Sequence, residues 1–239
     1  QFEEKYRIFS KYSNLKIIAP STWLFHLAST SLLFKNKQLI HIPNLCDINI
    51  FKPMGKGWAK RLFNLSESKK LILFGAATGG MGNIYKGWEY LQKAILHLST
   101  SSYEAVIFGE YNKTVEKQLP IKCNFIGKLY DEYSLSVLYN AADVFVTPSL
   151  ADNFPNTILE SLSCGTPVVA FNVGGIPDLI MHKSNGYLAH YKDCEDLKKG
   201  IEWCVSQYSI QEVCRSSIIK KYSPSLIIEK HKKLMYGKI

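Results

Sequence analysis

Two carboxylates eight positions apart, Asp152 and Glu160, are the residues whose types and spacing most clearly indicate chemistry in this chain. They lie in the segment ADNFPNTILESLSCGTPVVAFNVGGIPD, residues 151–178. Pro155 is suited to the first turn of a helix and Asn153 to its N-cap, so the pattern predicts a helix that begins near Pro155. Asp152 would then lie in the loop before the helix, and Glu160 in its second turn.

The predicted start of this helix offers several groups to a ligand. The backbone N–H groups of Asn156 and Thr157, with the positive end of the helix, suit a diphosphate. The carboxylates of Asp152 and Glu160 suit the hydroxyls of a ribose or a sugar. Asn156 and Glu160 are four positions apart and share one helix face. The alternative is structural: Asp152 and Asn153 would only cap the helix, and Glu160 would be a solvated helical residue.

A second candidate site is the glycine-rich stretch AATGGMGNIYKGW, residues 76–88, which leads into a predicted helix. A glycine loop before a helix is a natural cradle for phosphate, and Lys86 would add a positive charge. The stretch matches neither the dinucleotide-binding fingerprint nor the P-loop. By itself it therefore does not distinguish a ligand-binding Lys86 from a surface lysine.

Alternating strands and helices must position these residues. From Lys70 onward, short apolar runs and segments of helical periodicity predict an α/β fold with a doubly wound parallel sheet. The predicted strands are 71–74, 105–108, 124–126, 144–146 and 168–171, and the predicted helices are 86–98, 134–142 and 155–163. Ligands of open α/β sheets bind beyond the carboxyl ends of the strands. Gly75, Gly109 and Gly127 end three strands and favour a ligand crevice there, although turn geometry would also account for each of them.

Further elements are predicted at both ends of the chain. A strand at 15–19, a helix over 21–34 with Ser21 as its N-cap and a strand at 38–42 form one strand-helix-strand unit. This unit cannot cover both faces of a parallel sheet, so we expect it to dock on another part of the protein. A linker over 43–53 follows. The later elements are a short strand at 187–189, a helix capped by Asp193, a helix over 211–222 and a last helix from about Ser225.

The composition favours anionic partners. Lys and Arg outnumber Asp and Glu by 29 to 20, which gives a net charge of +9 and leaves phosphates, acidic membrane surfaces and nucleic acid open as partners. The densest basic cluster, residues 230–233, is typical of a solvated helix face or of contact with a membrane surface. There is no base-reading motif or tight basic stripe, which argues against a nucleic-acid-binding module.

Six cysteines without zinc-ligand spacing predict reduced, mostly buried thiols. No apolar run of about 18 residues occurs, and no signal peptide is visible, so we expect a cytoplasmic protein. The first residue is Gln1 rather than Met, so we do not expect it to be the native start of the chain.

With these motifs the sequence resembles the retaining GT-B glycosyltransferases of family 4, or group 1, typified by glycogen and sucrose synthases and by bacterial polysaccharide enzymes. The family pattern has two acidic residues separated by seven, with PN, LE, CGTPVVA and GG-x-P. Glu160 matches the second acid, whereas Asp152 stands where the family usually has Glu. The stretches APSTWL at 19–24 and IPNLCDINIFKP at 42–53 resemble the end of the family's N-terminal domain and its interdomain linker.

The resemblance implies the C-terminal half of a GT-B fold. Residues 1–54 would be the end of an N-terminal Rossmann-like domain together with the linker, and 55–222 the donor-binding domain. Residues 223–239 would be a C-terminal helix that packs back on the N-terminal domain. The chain would then be a truncated enzyme that binds its donor and transfers nothing by itself.

The resemblance also implies roles for single residues. Lys86 would contact the donor diphosphate, Asp152 the sugar and Glu160 the ribose, while residues 127–129 would face the base. The expected donor-binding residues are Gly79, Gly80, Gly127, Leu129, Asn153, Phe154, Asn156, Thr157 and Glu160.

The expected catalysis is stabilisation of the charge on the leaving diphosphate. The family usually places an arginine near the end of the first strand of this domain, where this chain has Ala76 and Ala77. Lys86 and the helix N-terminus would carry that task. No Asp-x-Asp pair occurs, and the acidic cluster DCED at 193–196 predicts a helix start, so we expect neither a metal nor another cofactor.

The expected partners are a UDP- or GDP-sugar, a saccharide or lipid-linked acceptor of polysaccharide or glycoconjugate biosynthesis, and the missing N-terminal domain. Peripheral contact with the inner face of the membrane is a further expectation, and nucleic acid is not expected. The main rival enzyme is an NAD-dependent oxidoreductase, because Glu110 follows a strand where an acid could bind a ribose. A non-catalytic basic module that binds nucleic acid or membrane is the rival without an activity.

Overall fold

The computed structural model describes residues 1–76, 83–110 and 119–237 of the chain. Two parallel sheets organise these residues, one of two strands and one of six. Gly79 and Gly80, which were predicted to bind the ligand, lie outside the described residues, as does Ala77. In the part of the chain that the structure describes, no helix is long and apolar enough to cross a membrane.

The two-stranded sheet belongs to the predicted strand-helix-strand unit. Its elements are β1 (Lys16–Ala19), α2 (Thr22–Thr30) and β2 (Gln38–His41), preceded by α1 (Phe2–Ser10). The Ser21 hydroxyl accepts a hydrogen bond from the Leu24 N–H at 3.1 Å, which confirms the predicted N-cap. The helix ends at Thr30 and not near Phe34, because the Ser31 side chain accepts the Leu33 N–H and favours a turn. α1 was not predicted, and none of its residues is buried.

The six-stranded sheet is parallel throughout, as the alternation of elements predicted. Its strands are β3 (Lys70–Ala76), β4 (Tyr103–Gly109), β5 (Lys122–Gly127), β6 (Val144–Thr147), β7 (Val168–Phe171) and β8 (Gly186–Ala189). Their order is β5-β4-β3-β6-β7-β8, so the direction of winding reverses between β3 and β6. The prediction of a doubly wound sheet is confirmed. β3 continues one residue past Gly75, where the sequence had it end.

Helices cover both faces of this sheet. The helices of this domain are α3 (Lys56–Leu62), α4 (Trp88–Ile95), α5 (Glu132–Ala141), α6 (Asn156–Ser163), α7 (Cys194–Ser206) and α8 (Ile210–Tyr222), and α9 (Pro224–Tyr236) follows them. Alternate residues of each strand face opposite layers. Leu71 and Leu73 pack with α5, α6 and α8, whereas Ile72 and Phe74 pack with α4 and α7. The strands are therefore apolar on both faces, as a buried parallel sheet requires.

The predicted helix over 86–98 is wrong at its start. A 3₁₀ turn, Ile84–Lys86, comes first, and α4 begins only at Trp88. Gly87 separates them with a φ of +68°, a left-handed conformation that favours glycine. A Cβ at this position would lie 1.9 Å from the carbonyl oxygen of Pro148. The glycine therefore lets the turn that carries Lys86 rest directly against the chain after β6.

The predicted linker is fixed to the six-stranded domain by Arg215 on α8. Its guanidinium donates to the carbonyl oxygens of Phe51 at 2.5 Å, Ser163 at 3.0 Å and Ile48 at 2.8 Å. The backbone N–H of Cys46 donates to the carbonyl oxygen of Tyr222 at 3.1 Å. The linker is irregular, so its backbone groups have no partners within a helix or strand, and these bonds supply them.

α9 lies against the strand-helix-strand unit. Lys16 Nζ on β1 donates to the Leu234 carbonyl oxygen at 3.0 Å, and Ile227 is buried. The cysteines are free thiols, as predicted. Cys194 is partly exposed, and the buried ones are Cys46, Cys123, Cys164, Cys204 and Cys214.

Candidate functional site

The switch point between β3 and β6 brings two of the predicted site residues together. The chain leaves β3 toward the turn that carries Lys86, and it leaves β6 toward the loop that carries Asp152. At such a point neighbouring loops diverge and leave a crevice at the carboxyl ends of the strands. Lys86 Nζ lies 3.7 Å from Asp152 Oδ2. The fold thus places one cation and one carboxylate at the edge of the sheet where a ligand is expected.

Backbone contacts hold this pair in place. The Leu150 N–H donates to the Tyr85 carbonyl oxygen at 2.8 Å, and Gly87 packs on Pro148. Burial raises the pKa of Asp152, and the charge of Lys86 opposes that shift. Both side chains remain partly exposed, so they can still reach a ligand.

A glycine pair, Gly174 and Gly175, packs against the backbone of the loop that carries Asp152. The Gly175 N–H donates to the Asp152 carbonyl oxygen at 3.1 Å. A Cβ at Gly174 would lie 2.1 Å from that same oxygen, and a Cβ at Gly175 would lie 1.7 Å from the carbonyl oxygen of Asn153. No other residue allows so close an approach, which explains why the predicted tight turn carries two glycines.

The start of α6 is open. Pro155 occupies the N-cap position, Asn156 is the first helical residue, and no side chain caps the helix. The predicted cap at Asn153 is therefore wrong, as is the placement of Pro155 in the first turn. The backbone N–H groups of Asn156 and Thr157 lie at the positive end of an uncapped helix, close after Asp152 in the chain.

Asn153 and Phe154 face away from the expected ligand. The Asn153 Oδ1 accepts a hydrogen bond from the Ser21 hydroxyl at 2.7 Å, a partner distant in the chain that the local pattern could not show. The Phe154 ring is buried and meets the Tyr222 ring edge-on, with 5.6 Å between centroids. A ligand could therefore reach Phe154 only through its backbone.

Glu160 lies one helical turn deeper and is mostly buried. Its Oε2 accepts a hydrogen bond from the Tyr139 hydroxyl at 3.0 Å. Burial raises the pKa of Glu160 to about 7, the bond from Tyr139 opposes the shift, and the charge of Glu132 adds to it. The alternative that Glu160 is a solvated helical residue does not fit this environment.

Glu160 and Asn156 share a helix face, as their spacing predicted. Both line a cavity of about 140 Å³ between the linker and helices α5 and α6. Its other lining residues are Leu45, Cys46, Asp47, Phe51, Glu132 and Leu159. Asn44 Nδ2 donates to Asn156 Oδ1 at 2.9 Å at the edge of this site. The linker forms one side of the cavity, and carboxylate groups in its lining can accept hydrogen bonds from hydroxyl groups.

Gly127 and Leu129 follow β5 at the same edge of the sheet. Gly127 has a φ of +78°, and a Cβ there would meet nothing within 4 Å. Leu129 packs partly buried against the core layer of α5 and α6. Gly109 at the end of β4 also has a positive φ, and the neighbouring Glu110 is exposed. The backbone of Gly127 therefore borders open space at the end of β5.

The acidic cluster at 193–196 is structural. The Asp193 carboxylate caps α7 by accepting the Asp196 N–H at 2.9 Å, and Asp196 accepts the Tyr187 hydroxyl at 2.8 Å. The predicted helix start is confirmed. Within residues 1–76, 83–110 and 119–237, no group of three or more His, Cys, Asp and Glu side chains could hold a metal ion.

Sequence reasoning missed several residues at the site. Tyr139 comes from a neighbouring helix, and Asn44 from the linker. Asp178 follows the glycine pair and binds Thr22 at the start of α2. Their positions depend on contacts between distant parts of the chain. The only local signal was the proximity of Asp178 to the GG-x-P turn.

Residues 72–207, more than half of the chain, match the protein family described as "Glycosyl transferases group 1". An uncharacterized glycosyltransferase of Methanocaldococcus jannaschii is 30% identical over 176 residues, which are 69% of this chain and 44% of that protein. The chain thus spans less than half the length of this relative.

Two solved structures share the fold. Sucrose-phosphate synthase from Thermosynechococcus elongatus has a TM-score of 0.81 at 21% identity, over 98% of this chain and 61% of that one. HepE from Anabaena in complex with UDP-glucose has a TM-score of 0.76 at 20% identity, over 95% of this chain and 64% of that one. The predicted Rossmann-like α/β fold of the GT-B type is confirmed.

Proposed function

The chain belongs to the group 1 glycosyl transferases, and we propose that it binds a UDP- or GDP-linked sugar and serves its transfer with retention of configuration. The observation that carries the proposal is the placement of Lys86 beside Asp152 at the switch point, next to the open N-terminus of α6. A cation, a carboxylate and free backbone N–H groups are what a diphosphate and a sugar need in common.

In this proposal Lys86 stabilises the leaving group. Cleavage of the bond between the sugar C1 and the diphosphate leaves negative charge on phosphate oxygens, while the acceptor hydroxyl bonds to C1 and passes its proton to an oxygen of the leaving phosphate. Lys86 and the N–H groups of Asn156 and Thr157 meet that charge. A well-placed donor of this kind contributes about 3 kcal/mol to the lowering of a barrier.

The remaining residues hold the donor. Asp152 accepts hydrogen bonds from sugar hydroxyls, and Glu160 accepts them from the ribose in the cavity under the linker. The backbones of Asn153 and Phe154 complete the loop. The base lies against Gly127 and Leu129, and Gly79 and Gly80 belong to the phosphate loop. No metal or other cofactor takes part.

We also propose the division of the chain. Residues 1–54 form the end of an N-terminal domain with its linker, 55–222 the donor-binding domain, and 223–239 a helix that returns to the N-terminal domain. The contact between Lys16 and Leu234 supports the last part. The acceptor, a saccharide or a lipid-linked sugar of polysaccharide or glycoconjugate biosynthesis, would bind the N-terminal domain at the cytoplasmic face of the membrane.

Thermal unfolding of the chain with nucleotides tests the donor site. UDP or GDP should raise the melting temperature, because a ligand at 100 times its Kd stabilises the folded state by about 2.7 kcal/mol. UDP-glucose is the first sugar to include, since HepE was solved with it. Glu160→Ala should raise the nucleotide concentration needed for the same increase in melting temperature at least tenfold. Glu229→Ala, which changes an exposed residue of α9, should leave that concentration unchanged.

Stabilisation by NAD and not by UDP or GDP would overturn the proposal in favour of an oxidoreductase. The similarity to glycosyltransferases favours neither that enzyme nor a nucleic-acid-binding module.

A further inference from the structure

The N-terminus of α2 is seated on the loop that carries Asp152. Ser21 and Thr22 meet two residues of the six-stranded domain, Asn153 and Asp178, and these four residues are here called the α2 latch. Asn153 directly follows Asp152, and Asp178 ends the turn that begins with the glycine pair. The latch therefore joins the first strand-helix-strand unit to the proposed donor site.

Hydrogen bonds pair the hydroxyl groups of Ser21 and Thr22 and both carboxylate oxygens of Asp178. The Ser21 hydroxyl donates to Asn153 Oδ1 at 2.7 Å and accepts the Leu24 N–H, and Ser21 is fully buried. The Thr22 N–H donates to Asp178 Oδ2 at 2.7 Å, and the Thr22 hydroxyl donates to Asp178 Oδ1. The carboxylate thus faces the positive end of α2, where a negative charge is stabilised.

The residues around the latch are closely packed. A Cβ at Gly175 would lie 2.6 Å from the Ser21 Cβ and 1.7 Å from the Asn153 carbonyl oxygen. The Gly175 N–H holds the Asp152 carbonyl oxygen. The start of α2, the glycine turn and the Asp152 loop therefore form three layers in direct contact. A shift of α2 has to move the loop that presents Asp152 and leads into α6.

We propose that the α2 latch positions the donor loop, so that latch closure and binding of a nucleoside diphosphate favour each other. The inference rests on the proposed function, and it assigns Ser21, Thr22 and Asp178 as positioning residues that need not touch the donor. A second hydrogen bond, from Asn44 to Asn156, also joins the N-terminal part of the chain to the proposed donor site, because it connects the linker with the first residue of α6. By linkage, UDP must stabilise the latch by the same factor by which the latch strengthens UDP binding.

The test measures the Kd for UDP and for GDP by calorimetry, well below the melting temperature. Asp178→Asn leaves one acceptor oxygen for the two donors of Thr22, and should weaken the binding of whichever nucleotide binds by about fivefold or more. Thr22→Val removes only the hydroxyl of an exposed residue, and should weaken it about threefold. The double variant should bind no more weakly than Asp178→Asn, because both changes break the same contact.

Asp193→Asn is the matched control, because Asp193 also accepts a backbone N–H at a helix start but lies at α7. It should leave the Kd unchanged. As a readout independent of affinity, UDP or GDP should slow amide exchange of residues 22–25 in the wild type but not in Asp178→Asn.

The outcomes separate the two proposals. If the wild type binds neither UDP nor GDP, the proposed function fails and this inference fails with it. If the wild type binds and Asp178→Asn lowers only the melting temperature, the latch is merely structural and this inference alone is overturned. If Asp178→Asn does not fold, Thr22→Val decides: an unchanged Kd overturns the inference, and a weakened Kd supports it.

Discussion

At the scale of single residues, Lys86 and Asp152 owe their proximity to the backbone around them. Their charged atoms are 3.7 Å apart and partly exposed, and such ion pairs contribute only about 0–1 kcal/mol. The bond between Leu150 and Tyr85 and the contact of Gly87 with Pro148 set the distance instead. The pair can therefore open toward a ligand without loss of the fold.

In a protein that carries the proposed N-terminal domain together with this chain, Lys86→Ala should accordingly reduce turnover at least tenfold, because the leaving diphosphate loses its fixed cation. The folded state should be nearly as stable as the wild type. Lys93→Ala, an exposed lysine on α4, is the control. Rates of nucleotide release from UDP-glucose or its GDP counterpart measure the effect. Equal rates for the two variants would remove Lys86 from the mechanism.

The mostly buried Glu160 predicts a dependence of stability on pH. Its pKa rises from an ordinary 4.5 to about 7 in the folded chain, so the folded state binds the proton more tightly. As the pH rises from 4.5 to 7, the contribution of Glu160 to the free energy of unfolding should fall by on the order of 3 kcal/mol. Above pH 7 it should stay constant.

Glu160→Gln keeps an acceptor for Tyr139 and removes the titration. Its stability relative to the wild type should therefore increase from pH 4.5 to pH 8, as urea unfolding at several pH values would show. Glu229→Gln should follow the wild type at every pH. A constant difference between Glu160→Gln and the wild type would contradict the assigned pKa.

Asp152 in a loop and Glu160 on the following helix could be placed from spacing and proline alone. The partners of these residues could not. Asn153 is a good cap by type, yet Ser21 engages its side chain, and the start of α6 stays open. A local sequence pattern contains only neighbouring residues, whereas the side chain of Asn153 is bound by a residue from a distant part of the chain.

At the scale of elements, periodicity was sufficient where an element buries one apolar face. The six strands and helices α5 to α9 were all expected, with ends shifted by a few residues. α1 buries no residue and α3 is short and has no side-chain cap, so neither carries a strong pattern. The break before α4 was missed because its cause, the contact of Gly87 with Pro148, joins two separate loops.

Gly87→Ala tests the importance of that break. Alanine in a left-handed conformation costs about 1–2 kcal/mol, and the overlap with the Pro148 carbonyl adds to the cost. We expect a loss of at least about 2 kcal/mol in the free energy of unfolding. Gly57→Ala in α3 is the control, because its Cβ would meet only the ends of two flexible side chains, Glu67 at 3.2 Å and Arg61 at 3.5 Å. Equal stability of the two variants, measured by urea unfolding, would contradict the role of Gly87.

At the scale of the whole molecule, the chain holds the proposed donor domain but spans only part of its relatives. The 239-residue chain should bind UDP or GDP and transfer no sugar, whereas a protein that also carries the proposed N-terminal domain should do both. Calorimetry with each protein and release of nucleotide from the nucleotide sugar distinguish the two steps. Transfer by the short chain would show that it is complete for catalysis.

The two connections between the sheets lie side by side. The chain passes from the first unit to the second through the linker and returns at the start of α9. Arg215 binds the linker at Ile48 and Phe51, and the hydrogen bond from the Cys46 N–H to the Tyr222 carbonyl oxygen joins the outgoing and returning segments of the chain. The chain therefore crosses between the two units at two neighbouring points, just before Cys46 and just after Tyr222. The first unit is thus joined to the six-stranded domain at these neighbouring crossings and at the α2 latch.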